Sequence, residues 1–276
     1  MWMLYLAIVI GLLYAGLTFA IAVAQTRLLF PVDMAAATRA SLPHEAERIE
    51  VETPDGPRLI GIRLGPSSPD AARPLILGFG GNAWNADVMA LYLRSLFPEA
   101  EVVAFHYRGY PPSEGRPSAA ALLADAVTVF DHLQREKPRL VIAVGFSIGS
   151  GVAAHLSRQR PLAGQILVTP FDSLKSLAAD HFPWAPVGLF LRHHIETADY
   201  LRESETPTAL IVAGQDTIVP ARRSTALREA TPKLVFERTI VDAGHNDLYD
   251  HPAFAQSMHE AYGRIMTATE QALPPM

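Results

Sequence analysis

Three residues carry the chemistry this sequence is equipped to do: Ser147, Asp216 and His245. Ser147 is the centre of Gly145-Phe146-Ser147-Ile148-Gly149, a G-x-S-x-G pattern. A nucleophile elbow needs that spacing, because the serine occupies a strained strand-to-helix turn and glycines on either side avoid Cβ clashes. The hydroxyl is thereby pushed out at the carboxyl end of the strand. Serine is a weak nucleophile until a base takes its proton, and on such an elbow the acid and then the histidine follow in the chain. Asp216 stands just past the apolar run 209–212, and His245 follows the run 234–241 beside Gly244, which permits a tight turn. In these roles His245 Nε2 takes the Ser147 proton, while Asp216 holds Nδ1–H and stabilises the imidazolium. Asp242 and Asp247 are rivals for the acid, although acids so near a histidine in sequence more often cap turns.

Acyl transfer also needs hydrogen-bond donors for the oxyanion. One is the backbone N–H of Ile148, at the positive end of the helix that follows the elbow. The second is expected from Gly80-Gly81-Asn82-Ala83-Trp84-Asn85, where Gly81 lets the backbone approach and Asn82 supplies its N–H. The same residues also suit a plain strand-to-helix turn with Asn82 or Asn85 as N-cap. Trp84, Phe146, Phe182 and Trp184 are the candidate walls of a substrate pocket. In the tract 105–115, Arg108 and Glu114 read as structural hydrogen-bonders. His193, His194 and Glu196 have metal-ligand character but no second cluster at ligand spacing, so neither a metal nor an organic cofactor is expected.

The elements that must position these groups are legible as periodicities. Short apolar runs without alternation at 75–79, 102–106, 140–144, 165–168, 209–212 and 234–241 suit strands buried on both faces of a parallel sheet. Between them lie segments of helical period, the clearest placing Leu122, Ala126, Val129 or Phe130, and Leu133 on one face before Pro138. A last helix after Pro252 sets Phe254, Met258, Tyr262 and Ile265 on one side. The runs 48–52 and 59–64 flank the turn Thr53-Pro54-Asp55-Gly56-Pro57 and predict an antiparallel hairpin at the sheet edge, followed by a polar loop over 66–74. Strands alternating with helices imply an α/β fold, a doubly wound and mostly parallel sheet with ligands at the carboxyl ends of its strands.

Residues 2–23 contain no charge, and 22 residues at about 1.5 Å each span a hydrocarbon core of about 30 Å. A single transmembrane helix is the favoured reading. Ala22-Val23-Ala24 has the small-x-small form of a signal-peptide cleavage site, but no basic side chain precedes the apolar run, which is longer than the usual 7–15 or so residues. The division expected is an anchor over 1–24 and one catalytic domain over 25–276, with a short apolar cap at about 172–204. This is a single-pass protein of a bacterial inner membrane on that reading; Arg27 and Arg39 favour the cytoplasmic side for the domain, and both sides stay open. No proposed catalytic residue precedes Asn82, so the domain is expected to act on small esters without residues 1–24.

The composition narrows function further. With 276 residues, 49% of them apolar, the chain can bury one large core. A net charge of −5 gives no basic footprint for nucleic acid. The absence of cysteine excludes thiol catalysis, cysteine-ligated zinc and disulfides.

Taken together, the chain resembles the α/β-hydrolases, in particular the membrane-anchored BEM46-like and ABHD-type serine hydrolases. The likeness covers almost the whole chain. An anchor followed by Gln-x-x-Leu-Phe-x-Pro is similar to residues 25–31, a His-Gly-Asn-Ala-x-Asn oxyanion loop to residues 80–85, Tyr-Arg-Gly-Tyr-Gly-x-Ser-x-Gly to 107–115, and Ser-Pro-Phe-x-Ser-Leu to 169–174. Two departures stand out: Gly80 replaces the histidine of the oxyanion loop, and Pro111-Pro112 replaces a Gly-x pair. The resemblance implies a Ser147, Asp216 and His245 triad that hydrolyses a small-molecule acyl ester or thioester. An apolar segment over 174–191 beside a membrane anchor favours a lipid-like acyl substrate over a peptide. A serine peptidase-like hydrolase, and a membrane-anchored scaffold that keeps the fold without turnover, are the alternatives.

Overall fold

The computed structural model describes residues 1–67 and 74–272, so most of the loop expected over 66–74 lies outside the described residues. Its centre is one sheet of eight strands: β1 (Glu47–Glu52), β2 (Arg58–Leu64), β3 (Leu75–Phe79), β4 (Val102–Phe105), β5 (Val141–Phe146), β6 (Gly164–Val168), β7 (Thr208–Ala213) and β8 (Leu234–Ile240). They lie in the order β1-β2-β4-β3-β5-β6-β7-β8. The expected edge hairpin is present, with Glu47 opposite Arg63 and Glu52 opposite Arg58, and β2 pairs antiparallel with β4. Every pairing from β4 to β8 is parallel. The unbroken apolar runs of β3, β5, β6 and β7 are buried at every position. Only a strand covered on both faces can bury alternate side chains in both directions, which is why these runs lack a period of two.

The covering helices divide between the two faces. On one lie α4 (Ala119–Glu136), α5 (Ile148–Gln159) and α8 (Thr197–Arg202), whose Leu122, Val129, Leu133, Val152, Leu156 and Leu201 share one core. On the other lie α3 (Ala86–Leu96) and α10 (Pro252–Ala272), whose Met89, Leu93, Phe254, Met258 and Ile265 share the second. Helix α4 starts where Ser118 accepts the N–H of Ala121 at 3.1 Å and stops short of Pro138, as its periodicity requires. Tyr262 is only partly buried, at the margin of the face that Phe254 and Met258 define.

Helix α1 (Trp2–Leu29) is, among the described residues, the one helix long and apolar enough to cross a membrane. It runs past the apolar stretch through Gln25 and Thr26, so the expected anchor–domain boundary at residue 24 falls inside a continuous helix. The short helices α2 (Val32–Ala37), α6 (Leu174–His181), α7 (Val187–Phe190) and α9 (Ala221–Glu229) complete the chain. Of the expected cap segment, α6 lies over the strand ends and α7 beside α1, whereas α8 packs against α5 and belongs to the body.

Candidate active site

The elbow is built by close approach. A Cβ on Gly145 would sit 2.3 Å from the Gly149 carbonyl oxygen, and one on Gly149 would sit 2.1 Å from that of Phe79. Helix α5 therefore packs on the ends of β5 and β3 at a distance that only glycine allows. Ser147 between them has φ 51°, a left-handed conformation that a non-glycine residue holds only when its surroundings impose it. The imposition is visible: Ser147 N–H donates to the Val168 carbonyl at 2.9 Å, and Ser147 O accepts from Ser150 N–H at 2.9 Å. At the end of the neighbouring strand Thr169 is also left-handed, φ 46°, and donates its N–H to Ile211 O at 2.8 Å.

The three residues singled out by order in the sequence meet in space. His245 Nε2 lies 3.1 Å from Ser147 Oγ, and His245 Nδ1 lies 2.7 Å from Asp216 Oδ2. Asp216 spends its other oxygen on the loop that carries it: Oδ1 accepts the N–H groups of Ile218 and Val219 at 2.8 and 2.7 Å. Its side chain is only 3% exposed, and both oxygens are occupied. The rival acids are engaged elsewhere, Asp242 with His251 Nε2 at 3.2 Å and Asp247 Oδ1 with the N–H of Gly244 at 2.6 Å. With Nδ1–H donated to a carboxylate, Nε2 is left to accept the serine proton.

A cavity of about 360 Å³ opens over Ser147 and His245. Asn82 and Ile148 both line it, as do Gly81, Trp84 and Phe182. Gly81 brings the loop within reach of the serine, since a Cβ there would meet Ser147 Cβ at 3.9 Å. Asn82 is fixed from both ends: Tyr110 Oη–H donates to its carbonyl at 2.7 Å, and its side-chain amide donates to Leu29 O at 3.1 Å. The N-cap role falls to Asn85, which accepts from Asp87 and Val88 N–H. At Gly80 a Cβ would crowd Trp84 Cβ at 3.1 Å and Met89 Sδ at 3.3 Å, so here the Trp84 side chain and Met89 take up space next to position 80. The Gly80 carbonyl is bound by Tyr107 Oη–H at 2.8 Å. Burial pushes the Tyr107 hydroxyl well above the usual phenol range, so it stays a donor.

Two expected wall residues lie elsewhere. Phe146 is fully buried beneath the floor, edge-on to Trp84 with centroids 4.8 Å apart, because its position on β5 points it into the core opposite the cavity. Trp184 faces outward and packs on Tyr14 of α1 and on Phe182. The cavity instead takes in Leu29, Phe171, His181, Ile218 and Tyr249, none of which the sequence marked. Burial pushes the Tyr249 hydroxyl up to about 12. His181 donates Nε2–H to Ile218 O at 2.7 Å and so ties α6 to the loop of Asp216. Nothing in local sequence signals Leu29: it arrives because α1 ends against the loop 80–85.

The other singled-out residues are structural. Arg108 pairs with Asp125 through Nε at 3.0 Å and also reaches Asp55, and Glu114 pairs with Arg58. Burial pushes the Asp125 carboxyl up, against the opposing pull of Arg108. His193 turns away from His194 and Glu196 and lies 2.8 Å from Thr26 Oγ1 on α1.

Residues 75–204 match the model of a family described as the alpha/beta hydrolase family. The chain is 32% identical over 270 residues to the uncharacterized protein Rv2307c of Mycobacterium tuberculosis, covering 95% of this chain and 94% of that one. It is 29% identical over 213 residues to the protein bem46 of Schizosaccharomyces pombe, 71% of each chain. Among solved structures the esterase Pf2001 of Pyrococcus furiosus superposes with a TM-score of 0.67 over 83% of this chain and 96% of that one, at 18% identity, a likeness of fold.

Proposed function

The chain belongs to the alpha/beta hydrolase family, and from that premise we propose that it is a serine hydrolase that cleaves carboxylic esters or thioesters through an acyl-enzyme. The observation that carries this reading is the relay of 3.1 Å and 2.7 Å from Ser147 through His245 to Asp216 beneath the 360 Å³ cavity. Ser147 Oγ attacks the acyl carbon as His245 Nε2 takes its proton. The oxyanion is held by the N–H groups of Asn82 and Ile148, and the imidazolium by Asp216. Collapse expels the alcohol or thiol, which leaves with the proton from His245. Water, deprotonated by the same histidine, then frees the acid and restores Ser147. The apolar walls Leu29, Phe171, Leu174 and Phe182 suit a hydrocarbon acyl group. Helix α1 anchors the domain at a membrane, which is where such acyl groups are concentrated.

The test is labelling of the purified protein by an alkyl fluorophosphonate, with turnover of p-nitrophenyl butyrate alongside. Wild-type protein should be labelled and active, and Ser147→Ala neither. A Ser147→Ala variant labelled as strongly as wild type would remove Ser147 from the mechanism.

A further inference from the structure

A second cavity, of about 280 Å³, lies between α1 and the cap. Its helix side is Ile21, Ala22 and Leu28, and its cap side Ala185, Val187 and Leu191. Leu29, Ala178 and Phe182 line this cavity and the catalytic one alike, so the two share a wall. The Gln25 amide beside it is fully engaged, donating to Ala22 O and Phe190 O and accepting from Arg192 N–H. The other polar side chain in the lining is Thr18, a residue 7% exposed whose Oγ1 has no partner among the described residues. At roughly twice the ~150 Å³ of an apolar cavity that takes a benzene ring, the space suits a stretch of alkyl chain.

The depth of this cavity follows from the length of α1. The Arg192 guanidinium donates to Ala22 O at 3.1 Å and Val23 O at 3.5 Å, which sets a cation at the end of the uncharged run 2–23 and marks the headgroup level. Tyr14 lies about 14 Å further along the helix axis. Its hydroxyl donates to Trp184 O at 2.9 Å, so the cap accompanies α1 well below that level. Leu189 is 81% exposed, with Phe190 and Trp184 also open beside it. The N–H groups of Phe182, Ala185, Val187, Leu189 and Leu191 are bonded within the cap, Pro183 and Pro186 have none, and the carbonyls of Trp184 and Phe190 accept from Tyr14 and Gln25. These bonds remove part of the cost of placing irregular backbone in hydrocarbon.

We propose that the cavity between α1 and the cap is the acyl-chain site of a membrane lipid, entered sideways from the hydrocarbon layer and joined to the Ser147 cavity when the Phe182 side chain in the shared wall moves aside. This rests on the serine-hydrolase reading and names the substrate class of that same site. The reacting carbonyl sits in the catalytic cavity, and the chain lies along α1.

The test compares the rates at which a hexadecyl and an ethyl fluorophosphonate label the full chain in phosphatidylcholine vesicles. Ala22→Trp and Ala185→Trp fill the cavity from opposite walls and should each slow the hexadecyl probe by about tenfold or more relative to the ethyl probe. Gly263→Ala, on α10 and away from both cavities, should leave both rates as they were. Equal slowing of both probes, or no slowing of the hexadecyl probe, overturns the proposal. A wild-type chain that neither probe labels instead takes down the serine-hydrolase reading, and the proposal with it. In a chain carrying Trp2→Phe and Trp84→Phe, Trp184 emission should be quenched more by chain-brominated phosphatidylcholine than by aqueous iodide; the reverse order places the cap in water and also overturns the proposal.

Discussion

The side-chain amide of Asn82 donates to the carbonyl of Leu29 at 3.1 Å, so the loop proposed to hold the oxyanion is tied to the last turn of the N-terminal helix. Sequence order had made the catalytic domain look independent of residues 1–24; this bond and the place of Leu29 in the catalytic cavity change that expectation. Deleting residues 1–24 leaves too little helix to persist alone. The truncated domain should turn over p-nitrophenyl butyrate roughly 3–10-fold more slowly than the full chain, the scale of one hydrogen bond. Asn82→Ala should lose a similar factor, and the two changes combined should lose little more than either, which a double-mutant cycle measures.

Replacing Asp216 by Asn should lower kcat by about 10⁴ while leaving the circular dichroism spectrum intact, because an amide favours the wrong histidine tautomer. Asp242→Asn, at a carboxylate that pairs with His251, should stay within about twofold of wild type. The reverse ranking would assign the acid to Asp242.

Gly149→Ala would drive a Cβ to 2.1 Å from the Phe79 carbonyl oxygen, a contact with backbone that no rotamer relieves. A cost of about 1–3 kcal/mol or more is expected, lowering Tm by several degrees in a thermal melt. The control is Gly263→Ala in α10, where nothing lies within 4 Å and the gain in helix propensity should hold or slightly raise Tm.

Burial pushes the His193 imidazole below the ordinary histidine value, helped by the charges of Arg192 and His194. With its Nδ1 accepting from Ala119 N–H at 3.4 Å, Nε2–H donates to Thr26 Oγ1, and the neutral ring is the form that docks α1. A folded-state value below the unfolded one means that this contribution is complete above about pH 6.5 and is lost as pH falls below it. Unfolding free energy from urea titrations should therefore drop, as pH falls below about 6.5, by more in wild type than in His193→Gln. Equal slopes in the two proteins would remove His193 from the pH dependence.

The sheet was legible because its signal is coarse: a run such as 141–146, buried at every position, can hardly be anything but a covered strand. Ser147, Asp216 and His245 were legible because chain order and strand ends together fix where each side chain emerges. The pocket was not. Phe146 and Trp84 are both large aromatics near the elbow, yet β5 aims one into the core and the loop aims the other into the cavity. Trp184 looked like a wall residue, but the geometry of its turn places it against Tyr14. The continuation of α1 beyond residue 23 was hidden by the polar Gln25 and Thr26, which look like the start of a linker when their partners, Phe190 and His193, are more than 160 residues away.

A domain on a loose leash would swivel about its attachment, and its reaction chamber would meet the bilayer at every azimuth. Here Gln25, Thr26, Tyr14 and Arg192 hold helix and cap at one fixed heading. Exchanging α1 for another apolar span of equal length would leave the domain without this bearing, and the chamber without the wall that Leu29 provides.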